Sequence, residues 1–164
     1  MITCFHMDKN KKETWIPRLF DLYYENMHII APSRLSYEVE RCQWISEVSP
    51  ALDKAPRQII LCLKGYDLVG YIQYYTRDTL LMIEEIQITP VYQGTLLFHR
   101  MCRYLYRNLP KHIEHLEAYA DIRNKRSISI MTRLGFSETP DNACPGFIHL
   151  QADAAAVFRR LIHT

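Results

Sequence analysis

Two adjacent acids, Glu84 and Glu85, interrupt an apolar run that reads TLLMIEEIQITPVYQG from Thr79. The run has the character of a buried strand from Leu80 to about Thr89. A short turn, Pro90–Gly94, carries Gln93, and a helical pattern then continues to Leu105 and beyond. A strand that feeds a short turn into a helix aims the helix's unpaired N–H groups past the strand's end. Such a terminus binds anions through those donors and the helix dipole. The chemistry within reach is therefore capture of an anionic group beside a pair of carboxylates.

The other reactive side chains form no comparable pattern. The five cysteines, Cys4, Cys42, Cys62, Cys102 and Cys144, are odd in number, widely spaced and never arranged as CxxC. They read as reduced thiols, mostly core filler, with no metal site expected. The seven histidines are scattered. His112 and His115 are the closest pair, and without a cysteine cluster they read as surface residues rather than zinc ligands. The 20 basic and 18 acidic residues leave a formal charge of +2, which gives no electrostatic case for nucleic acid as the main partner. No run approaches the roughly 18 apolar residues that span a membrane. The N-terminal MITCFHMDKNKK places its lysines after its apolar piece, the reverse of a signal peptide. A soluble, cytoplasmic chain with one domain over residues 1–164 is expected, with no membrane partner and a homodimer as one option.

The elements that must position the two acids follow from periodicity. Ile2–His6 alternates as a first strand, and Asp8–Glu13 is polar loop. A helix from Thr14 to about Met27 has Thr14 as its cap and Pro17 at its third position. A second helix restarts at Pro32–Ser33, and the prolines of 49–57 predict a loop after it. Arg57–Tyr75 gives two strands around Lys64-Gly65-Tyr66-Asp67, a hairpin signal. The strand with the two acids comes next, then a helix from about Gln93 to Asn108, ended by Pro110. His115–Asp121 is a strand, and Asn124–Leu134 is a helix stopped by Gly135. Strands from Phe136 and over Pro145–Leu150, then a helix over Ala152–His163, close the chain. The order is β-α-α-β-β-β-α-β-α-β-β-α, an α/β (α+β) chain with a mixed sheet and helices on both faces.

This order and three local patterns resemble the GNAT superfamily of N-acyltransferases. Ile86-Gln-Ile-Thr-Pro-Val-Tyr-Gln-Gly94 is similar to that family's fourth strand entering its pyrophosphate-binding loop. Tyr119-Ala-Asp-Ile-Arg-Asn124 is similar to its fifth strand and the asparagine that follows. Asn124 to Phe136 is similar to its fourth helix, ending in Leu-Gly-Phe. The resemblance implies a mostly antiparallel sheet of about seven strands, with helices on both faces.

It further implies transfer of an acetyl group from acetyl-CoA to a primary amine, with no metal. The pyrophosphate would lie on Gln93, Gly94, Thr95, Leu96, Leu97 and Phe98 at the helix start. The pantetheine arm would pair with the edge of Ile86, Gln87 and Ile88, and Asn124 and Ser127 would hold the coenzyme. Glu84 or Glu85 would serve as general base, with Glu84 slightly preferred, since a bulge in this strand makes parity a poor guide. Where the family loop has small residues, this chain has Leu96 and Phe98. Where the family has a tyrosine as general acid, it has Met131; Tyr92, Tyr104 and Tyr119 are the candidate replacements. Two alternatives follow from these departures. One is a GNAT-fold binding or regulatory module that no longer takes coenzyme A. The other is an acyltransferase fed by an acyl-carrier protein.

Overall fold

The computed structural model describes residues 1–54, 56–140 and 144–162. Seven strands form one sheet: β1 (Ile2–His6), β2 (Gln58–Lys64), β3 (Asp67–Arg77), β4 (Leu80–Ile88), β5 (His115–Asp121), β6 (Ser137–Thr139) and β7 (Phe147–Asp153). Their order is β1-β2-β3-β4-β5-β7-β6. Every pair is antiparallel except β4 with β5. A parallel pair needs a crossover, and α3 (Leu97–Asn108) supplies it. The remaining helices are α1 (Lys12–Ile30), α2 (Tyr37–Asp53), α4 (Lys125–Leu134) and α5 (Ala154–Ile162). The element order and the mixed, mostly antiparallel sheet match the sequence expectation.

Alternation along the strands gives the sheet two apolar faces. Ile60, Ile72, Tyr74 and Leu81 face α3, α4 and α5, where Met101, Leu105, Met131 and Phe158 complete one core. Ile59, Leu61 and Tyr71 face the other way, against Ile16, Leu19 and Leu22 of α1 and Leu52 of α2. Full burial of a side chain of this size is worth about 1.5–3 kcal/mol. Four residues of α1 are buried, Phe20 among them, whereas α2 buries only Leu52. With one buried residue in 17, α2 has a smaller buried fraction than α4, which buries only Met131 in 10, and low burial is a property of segments that adjust to ligands. No described helix is long and apolar enough to cross a membrane.

Five local expectations need correction. Helix α2 begins at Tyr37, capped by Ser36, not at Pro32–Ser33. The segment expected to be loop before α1 contains a 3-10 turn at Lys9–Lys11, and α1 begins at Lys12 rather than after Thr14. Pro17 consequently lies deeper than the third position. Pro50 does not end α2, which runs on to Asp53. Burial of Leu52 (0% exposed) outweighs the lost hydrogen bond. The helix expected from Gln93 starts at Leu97, because Pro90–Tyr92 first forms a 3-10 turn. Lastly, Cys4 and Cys62 are not thiols but a disulfide, placed directly opposite each other on β1 and β2. Cys42, Cys102 and Cys144 are free.

Candidate active site

Strand β4 is irregular where the two acids lie. Gln73 of β3 stands opposite Glu85, and the next residue, Tyr74, stands opposite Ile83. Glu84 is therefore the extra residue of a β-bulge. In an even strand, neighbours point to opposite faces. The bulge lets both acids reach the α1/α2 face, where Gln73 Nε2 donates to Glu84 at 3.0 Å and the buried Tyr71 hydroxyl donates to Glu85 at 2.8 Å.

Their environments then separate them. Arg57 Nε donates to Glu84 Oε2 at 2.7 Å, and the guanidinium makes a second, closer contact to Oε1. That pairing raises the pKa of Arg57, and its guanidinium also lies over the Tyr75 ring. Glu84 is thus committed to an ion pair. Glu85 has no cation beside it among its hydrogen-bond partners. Burial pushes its carboxyl up to about 7, against hydrogen bonds from Gln87 and Tyr71 that favour the charged form. Both donors act on the same oxygen: Gln87 Nε2 reaches Oε1 at 3.0 Å, as the Tyr71 hydroxyl does. Oε2 is left with its lone pairs available for a proton. Burial and the neighbouring Glu85 charge hold the Tyr71 hydroxyl well above the usual tyrosine range, so it remains a donor.

Beyond the bulge the sheet splits. Pairing of β4 with β5 runs from Leu80↔His115 to Ile83↔Ala118 and goes no further. Thr89 N–H donates to Val69 O on the β3 side, so by alternation the polar groups of Ile86 and Ile88 turn toward the split. A cleft of about 170 Å³ opens there, lined by Ile86, Gln87, Ile88, Gln93, Gly94 and Phe98, and by Asn124, Ser127 and Met131 of the α4 side. Most of the expected coenzyme-site residues therefore meet at one place.

Three of the expected loop residues do not line it. Leu96 points to solvent (72% exposed), Leu97 is core, and the Thr95 hydroxyl is spent locally on Tyr92 O and Leu97 N. The bulky residue at 96 thus leaves the cleft clear, while the Phe98 ring forms part of its wall. Asn124 caps α4 by accepting from Ser127 N at 3.0 Å. Gly135, in the left-handed region at φ +103, closes the same helix. The three tyrosines offered in place of Met131 lie elsewhere. Tyr104 approaches His6, Tyr92 lies by Lys64, and Tyr119 stacks on His149.

Two residues that the sequence pattern does not single out complete the cleft. Asn26 of α1 donates to Gln87 Oε1 at 2.8 Å and to Ile88 O at 3.0 Å. Gln93 Nε2 donates to Asn26 Oδ1 and to Ile88 O, each at 3.0 Å. Arg126 of α4 donates to Gln93 Oε1. These bonds run without a break from Arg126 through Gln93, Asn26 and Gln87 to Glu85. Arg126 stands within the Asn124–Phe136 motif, and its charge at the start of that helix is the signal by which it could be found. Nothing in the sequence marks Asn26, which reaches Gln87 across 61 residues.

The donor set suits a phosphorylated ligand with an extended amide arm. Leu96, the N-cap of α3, makes no side-chain cap bond, and among the described residues only the Thr95 hydroxyl accepts from the helix start, at Leu97 N–H. Gly94 has φ +79, and a β-carbon there would meet nothing nearer than Arg126 Nη2 at 3.8 Å, so backbone and guanidinium can both approach a phosphate. The split edge of β4 offers strand-like pairing to an extended amide chain.

Solved structures share this architecture. The PaiA N-acetyltransferase from Thermoplasma acidophilum, in complex with coenzyme A, aligns with a TM-score of 0.72 at 12% identity, over 93% of this chain and 99% of that one. An acetyltransferase from Thermus thermophilus aligns at 0.69 and 16% identity, over 93% and 97%. Aminoglycoside acetyltransferase AAC(6')-Ib, in complex with coenzyme A, aligns at 0.66 and 15% identity, over 97% and 98%. No protein-family model and no curated protein matches the sequence. The chain has the GNAT fold.

Proposed function

We propose that this protein transfers an acetyl group from acetyl-CoA to a primary amine, with Glu85 as the general base. The observation that carries this reading is the placement of a carboxyl with a pKa of about 7 at the bulge where β4 parts from β5. A base works best when its pKa lies near the working pH. Glu84 has the same chemistry but is held by Arg57, so the reading moves to Glu85 from the slight sequence preference for Glu84.

Arg126, Gln93, Gly94 and the α3 N-terminus would hold the pyrophosphate, and Ile86 would pair with the pantetheine amides, since the Ile88 carbonyl already accepts from Asn26 and Gln93. The thioester supplies the electrophilic carbonyl. The N–H near Ile88, in the split edge, would donate to that carbonyl's oxygen as it gains charge. Glu85 Oε2 takes one proton from the amine, directly or through water, while the amine nitrogen forms its bond to the carbonyl carbon. The carbon–sulfur bond then breaks with its electron pair on sulfur. With Met131 in the family's tyrosine position, no side chain of the cleft is an obvious acid. A thiol's pKa of about 8.5 makes the thiolate a fair leaving group that can be protonated from solvent.

The test is a melting curve with and without millimolar acetyl-CoA. Selective binding to the folded state at a hundred times Kd adds about 2.7 kcal/mol and should raise the midpoint by several degrees. Arg126→Ala should weaken that binding about tenfold or more, as loss of a charge-assisted phosphate contact does. An unchanged midpoint in the parent protein would favour the binding-module reading, whose support is the Phe98 ring in the cleft wall.

A further inference from the structure

A second cavity, of about 250 Å³, lies between α1 and α2 on the Glu85 side of the sheet. Its wall is aromatic: Phe20, Tyr23 and Tyr24 of α1 face Trp44 of α2. Trp44 has its ring centre 5.8 Å from that of Tyr23 and 5.7 Å from that of Phe20. Two acids, Glu40 and Glu47, also line it, and no lysine or arginine does; its one basic side chain, His28, is stacked on Tyr24. Oε1 of Glu40 is buried and meets no hydrogen-bond donor among the described residues.

A carboxylate oxygen withdrawn from water without a donor carries a large desolvation cost unless something supplies one. Ring faces beside it are attractive to a cation and repel an anion. The cavity therefore has the chemistry of an organic ammonium site.

Its position relative to the cleft is also defined. Met27 lines both cavities. Tyr23, which lines the second cavity, also feels Glu85: its hydroxyl is held above the usual tyrosine range by burial, and then by the charges of Glu85, Glu40, Glu47 and Asp121. An amine whose one end lies in the aromatic–acidic cavity is therefore on the same face of the sheet as Glu85.

We propose that the α1/α2 cavity binds the distal ammonium of a linear diamine, through Glu40 and Glu47 against the rings of Tyr23, Tyr24 and Trp44, and so selects dicationic amines over monoamines as acceptors. The assignment of the second amine as the acetylated one rests on the acetyltransferase reading; the cation site itself does not. With one ammonium fixed here, the other end, once it has given one proton to solvent, gives a second to Glu85 as it attacks the thioester carbonyl, and the two ends of one substrate use the two acid environments differently.

The probe is diaminopentane, set against aminopentanol, which matches it in length but has one ammonium replaced by a hydroxyl. Binding is read by tryptophan fluorescence and by thermal shift, each with and without coenzyme A, on the full chain. Trp44→Phe separates the Trp44 signal from that of Trp15. The expected result is at least tenfold tighter binding of the diamine, reduced to parity in Glu40→Gln, whose melting midpoint in the absence of amine checks that it folds. Equal binding of the two amines by the parent protein, or a preference that survives Glu40→Gln and Glu47→Gln alike, overturns the proposal. A diamine preference in a protein that neither binds nor turns over acetyl-CoA keeps the cation site and removes the acetyltransferase reading instead.

Discussion

Replacing Glu85 by glutamine separates the base from every other role this side chain has. The amide oxygen of glutamine can accept from both the Tyr71 hydroxyl and Gln87 Nε2, because both donors act on a single oxygen of Glu85. Geometry is thus retained while the proton acceptor is lost, and a general base contributes about a hundredfold to ten-thousandfold in rate. The parent kcat, at saturating amine and acetyl-CoA, should rise about tenfold between pH 6 and pH 8, since a carboxyl at about 7 goes from mostly protonated to mostly ionised over that interval.

Stability should move the opposite way. The folded carboxyl at about 7 lies above its ordinary 4.5, so between those values the folded state holds a proton that the unfolded state has released. Stability from this group is full below pH 4.5 and falls as pH rises through 7. The full difference would be on the order of 3 kcal/mol. Partial solvent contact of the side chain reduces it to about 1–2 kcal/mol. Glu85→Gln escapes the loss and should melt about 3–6 °C higher than the parent at pH 8, with little difference at pH 4. The assay pairs steady-state kcat across pH with melting curves in the same buffers. A variant whose kcat stays within about threefold of the parent, or that retains an inflection near pH 7, refutes the assignment of Glu85.

Two further outcomes follow from the same structure. Glu84→Gln should cost about 1 kcal/mol through the half-buried pair with Arg57 while leaving kcat within about threefold, measured by denaturant unfolding and turnover; a loss of kcat matching that of Glu85→Gln would exchange the two roles. The Cys4–Cys62 bridge closes 58 residues, for which chain entropy predicts up to about 4 kcal/mol. Dithiothreitol or Cys62→Ala should then lower the melting midpoint by about 8 °C or more, and thiol titration of the unreduced, unfolded chain should find three reactive groups. Five reactive thiols would show the bridge to be absent.

Features set by near neighbours in the chain are legible in the sequence alone. Strand β5 and the caps of α4 are examples, since Asn124 and Gly135 act on backbone within four residues of themselves. Burial and helix competition over a longer span already blur the reading at Pro50 and at the start of α3. A two-residue periodicity does not tell Glu84 from Glu85, because the bulge that separates their surroundings exists only in the pairing of β4 with β3.

Sequence alone thus determined the order of elements, the α4 boundaries and the general location of the site around β4 and its loop. Only tertiary structure decided which acid is free, since the deciding partner, Arg57, lies 27 residues away. It likewise decided the disulfide, which depends on β1–β2 register, and the roles of Asn26 and Arg126, which come from helices on either side of the cleft. The physical reason is common to these cases. Periodicity and capping are short-range and leave a local trace, whereas the partner of a buried charge is set by register and packing between segments that the sequence keeps apart.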